Sequence, residues 1–177
     1  MRNYSKLIAG TFCALAFFVT TAFATTNEQA SLYNAGELGF SIGTGYAFTP
    51  SALFKNAYDF NLTAGAFYFP YRNFGAEVNV PFYQTKGASV SEVQAGLLAR
   101  LPVTTNVPLL RNFAPYIGLG GVYAWNVPSK WAYIAKAGVD LRLNSKWSVF
   151  TEYQYRNVNF YWSQGEQRVQ GGIHLVF

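Results

Sequence analysis

Arg168-Val169-Gln170-Gly171-Gly172-Ile173-His174-Leu175-Val176-Phe177 is the stretch whose reading decides the fold. Its odd positions, Val169, Gly171, Ile173, Leu175 and Phe177, are apolar or small. Its even positions Gln170 and His174 are polar, with the small Gly172 between them. Alternation with a period of two marks a strand whose two faces meet different surroundings. A soluble domain seldom ends in mid-strand on an aromatic carboxylate, because termini fray unless something pairs with them.

Seven more alternating segments precede it. The first spans about 36–48, with Leu38, Phe40, Ile42, Tyr46 and Phe48 on one face and Gly39, Ser41, Gly43, Gly45 and Ala47 on the other. Further segments cover 57–69, 74–83, 91–101, 114–125, 131–143 and 147–156. Each sets an apolar face, such as Val93, Ala95, Leu97, Ala99 and Leu101, against a small or polar one, such as Glu92, Gln94, Gly96 and Arg100. Pro81 falls near the far end of the third, where a missing N–H is better tolerated. Tight turns are expected at 70–73 and 144–146, and a longer connection at 102–112.

Composition fits an apolar surface dispersed over every second residue. Charged residues make up 12% of the 177, aromatics 19%, and glycines number 16; average soluble domains carry roughly twice that charge. Arg2 and Lys6, the apolar run Leu7 to Phe23 and the small-x-small site Ala22-Phe23-Ala24 read as a secretory signal peptide over 1–24. Its removal takes two of the 13 basic residues and leaves 11 against 8 acidic ones, a charge of +3. That mild charge, without a basic run, does not call for nucleic acid. Cys13 lies inside the removed segment, so the processed chain has no thiol chemistry. Residues 25–35 read as a short periplasmic lead-in and 36–177 as the barrel.

The C-terminal stretch resembles the targeting strand of bacterial outer-membrane barrels, polar-x-Gly-x-x-hydrophobic-x-aromatic, through Gln170, Gly172, Leu175 and Phe177. The phrases Pro115-Tyr116-Ile117-Gly118-Leu119-Gly120, Ala137-Gly138-Val139-Asp140-Leu141-Arg142 and Thr151-Glu152-Tyr153-Gln154-Tyr155 resemble strands of the opacity-protein and OmpA-type barrel family. The resemblance implies an all-β, eight-stranded antiparallel up-and-down transmembrane β-barrel in the bacterial outer membrane. It also implies delivery by the barrel-assembly machinery through the last strand. Aromatics towards the strand ends (Tyr46, Phe48, Tyr58, Phe82, Tyr123, Trp125, Trp131, Tyr133 and Tyr155 at one end; Tyr68, Phe74, Trp147 and Phe177 at the other) are placed as interfacial girdles.

The lumen of an eight-stranded barrel is just wide enough for side chains to fill, and isolated charges there are costly. Glu77, Asp140 and Glu152 are therefore expected to be balanced by Arg100, Lys136 and Arg142. His174, the only histidine, is expected to join that network; Asp59, Glu92 and Arg156 are also expected on the inner face. The main reading is a non-enzymatic envelope protein contributing to envelope integrity or surface interaction; the alternative is a narrow pore for ions or small solutes. A lipid A-modifying enzyme is the third reading, but no His-x-Ser pair exists and no partner for His174 is legible. No metal or cofactor motif is present. Lys55, Lys86, Lys130, Arg156 and Arg168, in or beside the outer loops, are candidates for lipopolysaccharide phosphates. Asn159-Phe160-Tyr161-Trp162 is a candidate contact for a surface partner.

Overall fold

The computed structural model describes residues 32–48, 58–85, 88–103, 105, 107, 110–125, 130–157 and 165–177. The expected segment 1–24, Lys55, Lys86, the side chain of Asp59 and the 159–162 tip lie outside the described residues. Eight strands follow in order: β1 (Glu37–Phe48), β2 (Tyr58–Phe69), β3 (Phe74–Thr85), β4 (Ala88–Arg100), β5 (Phe113–Trp125), β6 (Trp131–Arg142), β7 (Trp147–Arg156) and β8 (Glu166–Val176). Every neighbouring pair is antiparallel, and β8 pairs with β1, so the sheet closes into a barrel. Closure leaves neither β1 nor β8 as an open sheet edge and pairs the ladder N–H and C=O groups within the chain, the arrangement that water-free surroundings favour. Strands of 10 to 13 residues match the roughly 9–11 residues a tilted strand needs to cross hydrocarbon.

The alternation fixes which face each side chain takes. Leu97 and Leu119 are 71% exposed, and Ile42, Leu62, Val78, Ile117 and Ile173 are exposed beside them. Their inward neighbours Asn61, Asn79, Gln94, Lys136 and Glu152 are buried. The arrangement sets most of the buried polar groups, together with an apolar cluster of Phe67, Phe69, Leu98, Tyr116 and Val176, under an apolar skin, unlike a soluble sandwich. Trp131, Tyr133, Phe82 and Trp125 ring one end of that skin, and Phe74, Tyr68, Trp147 and Phe177 the other; all are exposed. At the first end Tyr123 packs 4.7 Å from Trp131 and 5.4 Å from Trp125. The side chains of Phe48 and Tyr58 lie outside the described residues.

Two outward threonines interrupt the apolar band. Thr44 and Thr151 both stand opposite Gly171, from β1 and β7. Neither hydroxyl is left bare: Thr44 donates to the Asn61 carbonyl at 3.0 Å and Thr151 to that of Gln170 at 3.4 Å. A hydroxyl facing hydrocarbon must find such a partner or bear its full desolvation cost.

Three local expectations change. The third and fourth segments run further than 74–83 and 91–101, because the ladder continues to Thr85↔Ala88. Pro81 consequently sits inside β3 and not at its end. Pairing with β4 lapses over Val80 and Pro81 and resumes at Phe82↔Ser91 in the same register, which is how the missing N–H is accommodated. The 102–112 connection is partly paired: the N–H groups of Leu101 and Val103 donate to the carbonyls of Pro115 and Phe113 at 2.8 and 2.9 Å, and a 3-10 turn covers Leu110–Asn112. Gly36 has φ +81°, a conformation side chains resist, and its N–H donates to the Phe69 carbonyl at 2.7 Å. It bends the chain from across the barrel mouth into β1.

Candidate functional site in the barrel lumen

Among the described residues the lumen holds three layers of ionic contact, numbered from the end that carries both the approach to β1 and the end of β8. In the first layer Arg100 Nη1 and Arg142 Nη2 converge on one oxygen of Glu37, at 2.6 and 3.1 Å. Two guanidiniums on one carboxylate give charge-assisted hydrogen bonds, the strong kind. Tyr33, with no solvent exposure, lies against both: the guanidinium carbons stand 5.1 Å (Arg100) and 4.6 Å (Arg142) from its ring centre. Burial, with the nearby Asp140 carboxylate second, pushes the Tyr33 phenol far above its ordinary pKa. It therefore stays protonated and keeps a proton to donate.

In the middle layer Lys136 bridges Glu77 and Glu152, the second at 3.3 Å. Glu152 also accepts from Tyr116 at 2.7 Å, Gln170 at 2.5 Å and Gln154. Those donors satisfy its lone pairs as a buried carboxylate requires. The third layer is a quartet: Arg156 grips Glu92 in a two-point contact of 2.8 and 2.9 Å, Arg168 donates to Glu166 at 3.0 Å, and Arg156 and Glu166 approach to 3.5 Å.

The expected network residues Glu77, Arg100, Lys136, Asp140, Arg142, Glu152 and His174 all line this interior. Lys136 takes Glu77 and Glu152, Arg100 and Arg142 turn to Glu37, which was not in the expected set, and Asp140 sits 3.4 Å from His174 Nδ1. Glu37 was legible, since it extends the inward series of Gly39, Ser41 and Gly43; its place at a strand end hid it. Tyr33 had no signal of that kind, because it precedes the periodic pattern and lies in what reads as a polar lead-in.

Arg156 and Arg168 leave the set of loop cations. Both are 2% exposed and engaged inside the barrel, so they do not reach lipopolysaccharide phosphates from there. Of the C-terminal signature, Leu175 and Phe177 face outward, and Phe177 packs edge-on against Phe40 at 5.8 Å. Gln170 faces inward and serves Glu152.

Between the first two layers lies a cavity of about 40 Å³, bounded by Ser41, Phe69, Arg100, Tyr116, Lys136 and His174 among others. That is space for roughly two or three waters.

No protein-family model matches the sequence, and no curated protein matches it either. Solved structures do match. A de novo designed transmembrane β-barrel superposes with a TM-score of 0.61 at 19% identity, covering 81% of this chain and 98% of the other. OprG from Pseudomonas aeruginosa gives 0.53 at 14% identity, covering 82% and 97%. Neisserial surface protein A gives 0.57 at 12% identity, covering 80% and 96%.

The chain has the eight-stranded outer-membrane barrel fold. A designed barrel stands among these matches, so the likeness reports the physics of closing eight amphipathic strands and not a shared activity.

Within this outer-membrane barrel fold His174 acquires neighbours that the sequence concealed. Ser148 Oγ is 3.3 Å from Nδ1 and Asp140 Oδ1 3.4 Å from the same nitrogen. A hydrolytic relay needs the hydroxyl at one ring nitrogen and the carboxylate at the other, so this is not that geometry. The ring is stacked on Phe150 at 4.4 Å and lies 4.8 Å from Phe67; it fills the lumen as much as it bonds there. Among the described residues no three His, Cys, Asp or Glu side chains are grouped to hold a metal ion.

Proposed function

We propose that this is a non-enzymatic integral protein of the bacterial outer membrane, with a shut interior, that contributes to envelope integrity or surface interaction. The observation that carries the reading is the inverted build: exposed leucines, isoleucines and aromatics outside, and stacked ion pairs inside around a cavity of about 40 Å³. Conductance across a planar bilayer tests it. The expected trace is flat, and stable discrete steps would overturn the shut lumen in favour of a narrow pore. The location is tested separately. The protein is expected in the detergent-extracted outer-membrane fraction, and recovery as a freely soluble periplasmic species would end the membrane reading.

In this reading outward apolar and aromatic residues meet lipid, and Lys130, exposed beside the exposed Trp131, offers a charge for lipopolysaccharide phosphate. The last strand serves as the assembly signal. Phe177 is 67% exposed and its N–H closes the seam onto the Leu38 carbonyl at 2.8 Å. Deleting Phe177 is expected to reduce the amount of inserted barrel, measured as the unheated, fast-migrating band on a gel; an undiminished band would count against this role.

A further inference from the structure

The geometry points to residues 32–36 as a strap that crosses the barrel mouth and seals the inner cavity at that end, with Tyr33 as the stopper. In an eight-strand ring β1 and β5 stand on opposite walls. Tyr33 precedes β1, yet its hydroxyl lies 2.7 Å from the Asn112 carbonyl, just before β5, and 2.9 Å from the Asp140 carbonyl in β6. The chain has therefore spanned the opening before it enters the wall. Gly36, in its left-handed conformation, makes the turn.

The strap is anchored along its length. The Asn34 N–H donates to Glu37 Oε1 at 2.6 Å, and the Asn34 carbonyl accepts from Arg100 Nη2 at 2.9 Å. Arg100 also donates to the Arg72 carbonyl at 2.8 Å, tying the strap to the β2–β3 turn. Behind Tyr33 the next walls are Arg100 and Phe69, whose ring centre lies 3.8 Å from that guanidinium, and both line the cavity. The opposite end is built differently: the Glu92, Arg156, Glu166 and Arg168 quartet comes from the strands themselves. A wall residue cannot leave without opening the sheet, whereas a strap can lift while the barrel stays closed. The two ends thus differ in which one local opening would release.

The inference rests on the shut-barrel reading, and the experiment separates the two. Ser41→Cys places a thiol on the cavity wall in a chain that also carries Cys13→Ser. The folded protein in detergent is treated with methanethiosulfonate ethylammonium, with Lys130→Cys as an exposed control. With Tyr33 present the position-41 thiol is expected to react slowly. Tyr33→Ala removes two cation–π contacts and the hydroxyl, and is expected to accelerate the reaction roughly tenfold or more. Tyr33→Phe keeps the ring and is expected to stay slow. If Tyr33→Ala loses the compact gel form, Tyr33→Leu takes its place, with acceleration in the same direction. A position-41 thiol that reacts as fast as position 130 with Tyr33 in place, or that is not accelerated when the stopper is removed, overturns the strap. Failure of the shut-barrel reading itself shows differently, as stable conductance steps of the parent protein in a planar bilayer.

Discussion

Replacing Lys136 with methionine is expected to cost roughly 3–5 kcal/mol of unfolding free energy, the usual penalty for removing one partner of a buried ion pair. Lys136 bridges Glu77 and Glu152, and its side chain is 5% exposed. Without it two carboxylates face each other beside a cavity with room for only roughly two or three waters. Tyr116, Gln154 and Gln170 would still donate to Glu152, but Glu77 would lose its charged partner. The measurement is the urea midpoint followed by the shift between folded and unfolded bands. An unchanged midpoint would sink the idea that the layer is held by charge balance. The triple change Lys136→Met, Glu77→Gln and Glu152→Gln supplies the second arm. It removes the charges together and is expected to recover most of the loss, since a buried ion pair replaced by neutral groups of similar volume is often no worse. A triple variant as unstable as the single one would assign the effect to packing instead.

Gly172→Val is expected to prevent closure of the barrel. A Cβ at Gly172 would stand 2.6 Å from Gly43 Cα and 2.8 Å from the Phe150 ring, with the Ile42 carbonyl nearer still. Overpacking costs about 1–3 kcal/mol where neighbours can give way. Here the neighbour is the backbone of β1, paired with β8 at Gly43↔Gly172, and it cannot yield without breaking the seam. The loss should therefore exceed that range and appear as little or no compact band. Gly121→Ala is the control. Gly121 faces outward in β5 and an added Cβ meets nothing within 4 Å, so the change is expected to be neutral or mildly stabilising. Equal folding of the two variants would falsify the packing account of the β1–β8 seam.

The same glycine shows how far a pattern reaches. As a letter in the C-terminal signature, Gly172 reads as part of an assembly signal. In the barrel it is also the point where two strands approach too closely for any side chain. Gln170 behaves in the same way: its polar letter fits the signature, and its amide donates to Glu152. Neither packing role is visible from spacing along one strand.

The sequence by itself determined the number of strands, the face taken by each side chain, and the inversion of polar and apolar surfaces. Those properties are local, because a strand alternates its side chains every residue whatever lies beside it. Partner choice was decided only by the tertiary structure. Which carboxylate meets which guanidinium depends on the register of eight strands and on the width of the ring, and neither is written into any single segment. That is why Arg100 and Arg142 turn to Glu37, and why Ser148 and Asp140 come to the same nitrogen of His174. Tyr33 lies further still from any local rule, because a strap is defined by the wall it reaches and that wall exists only once the barrel has closed.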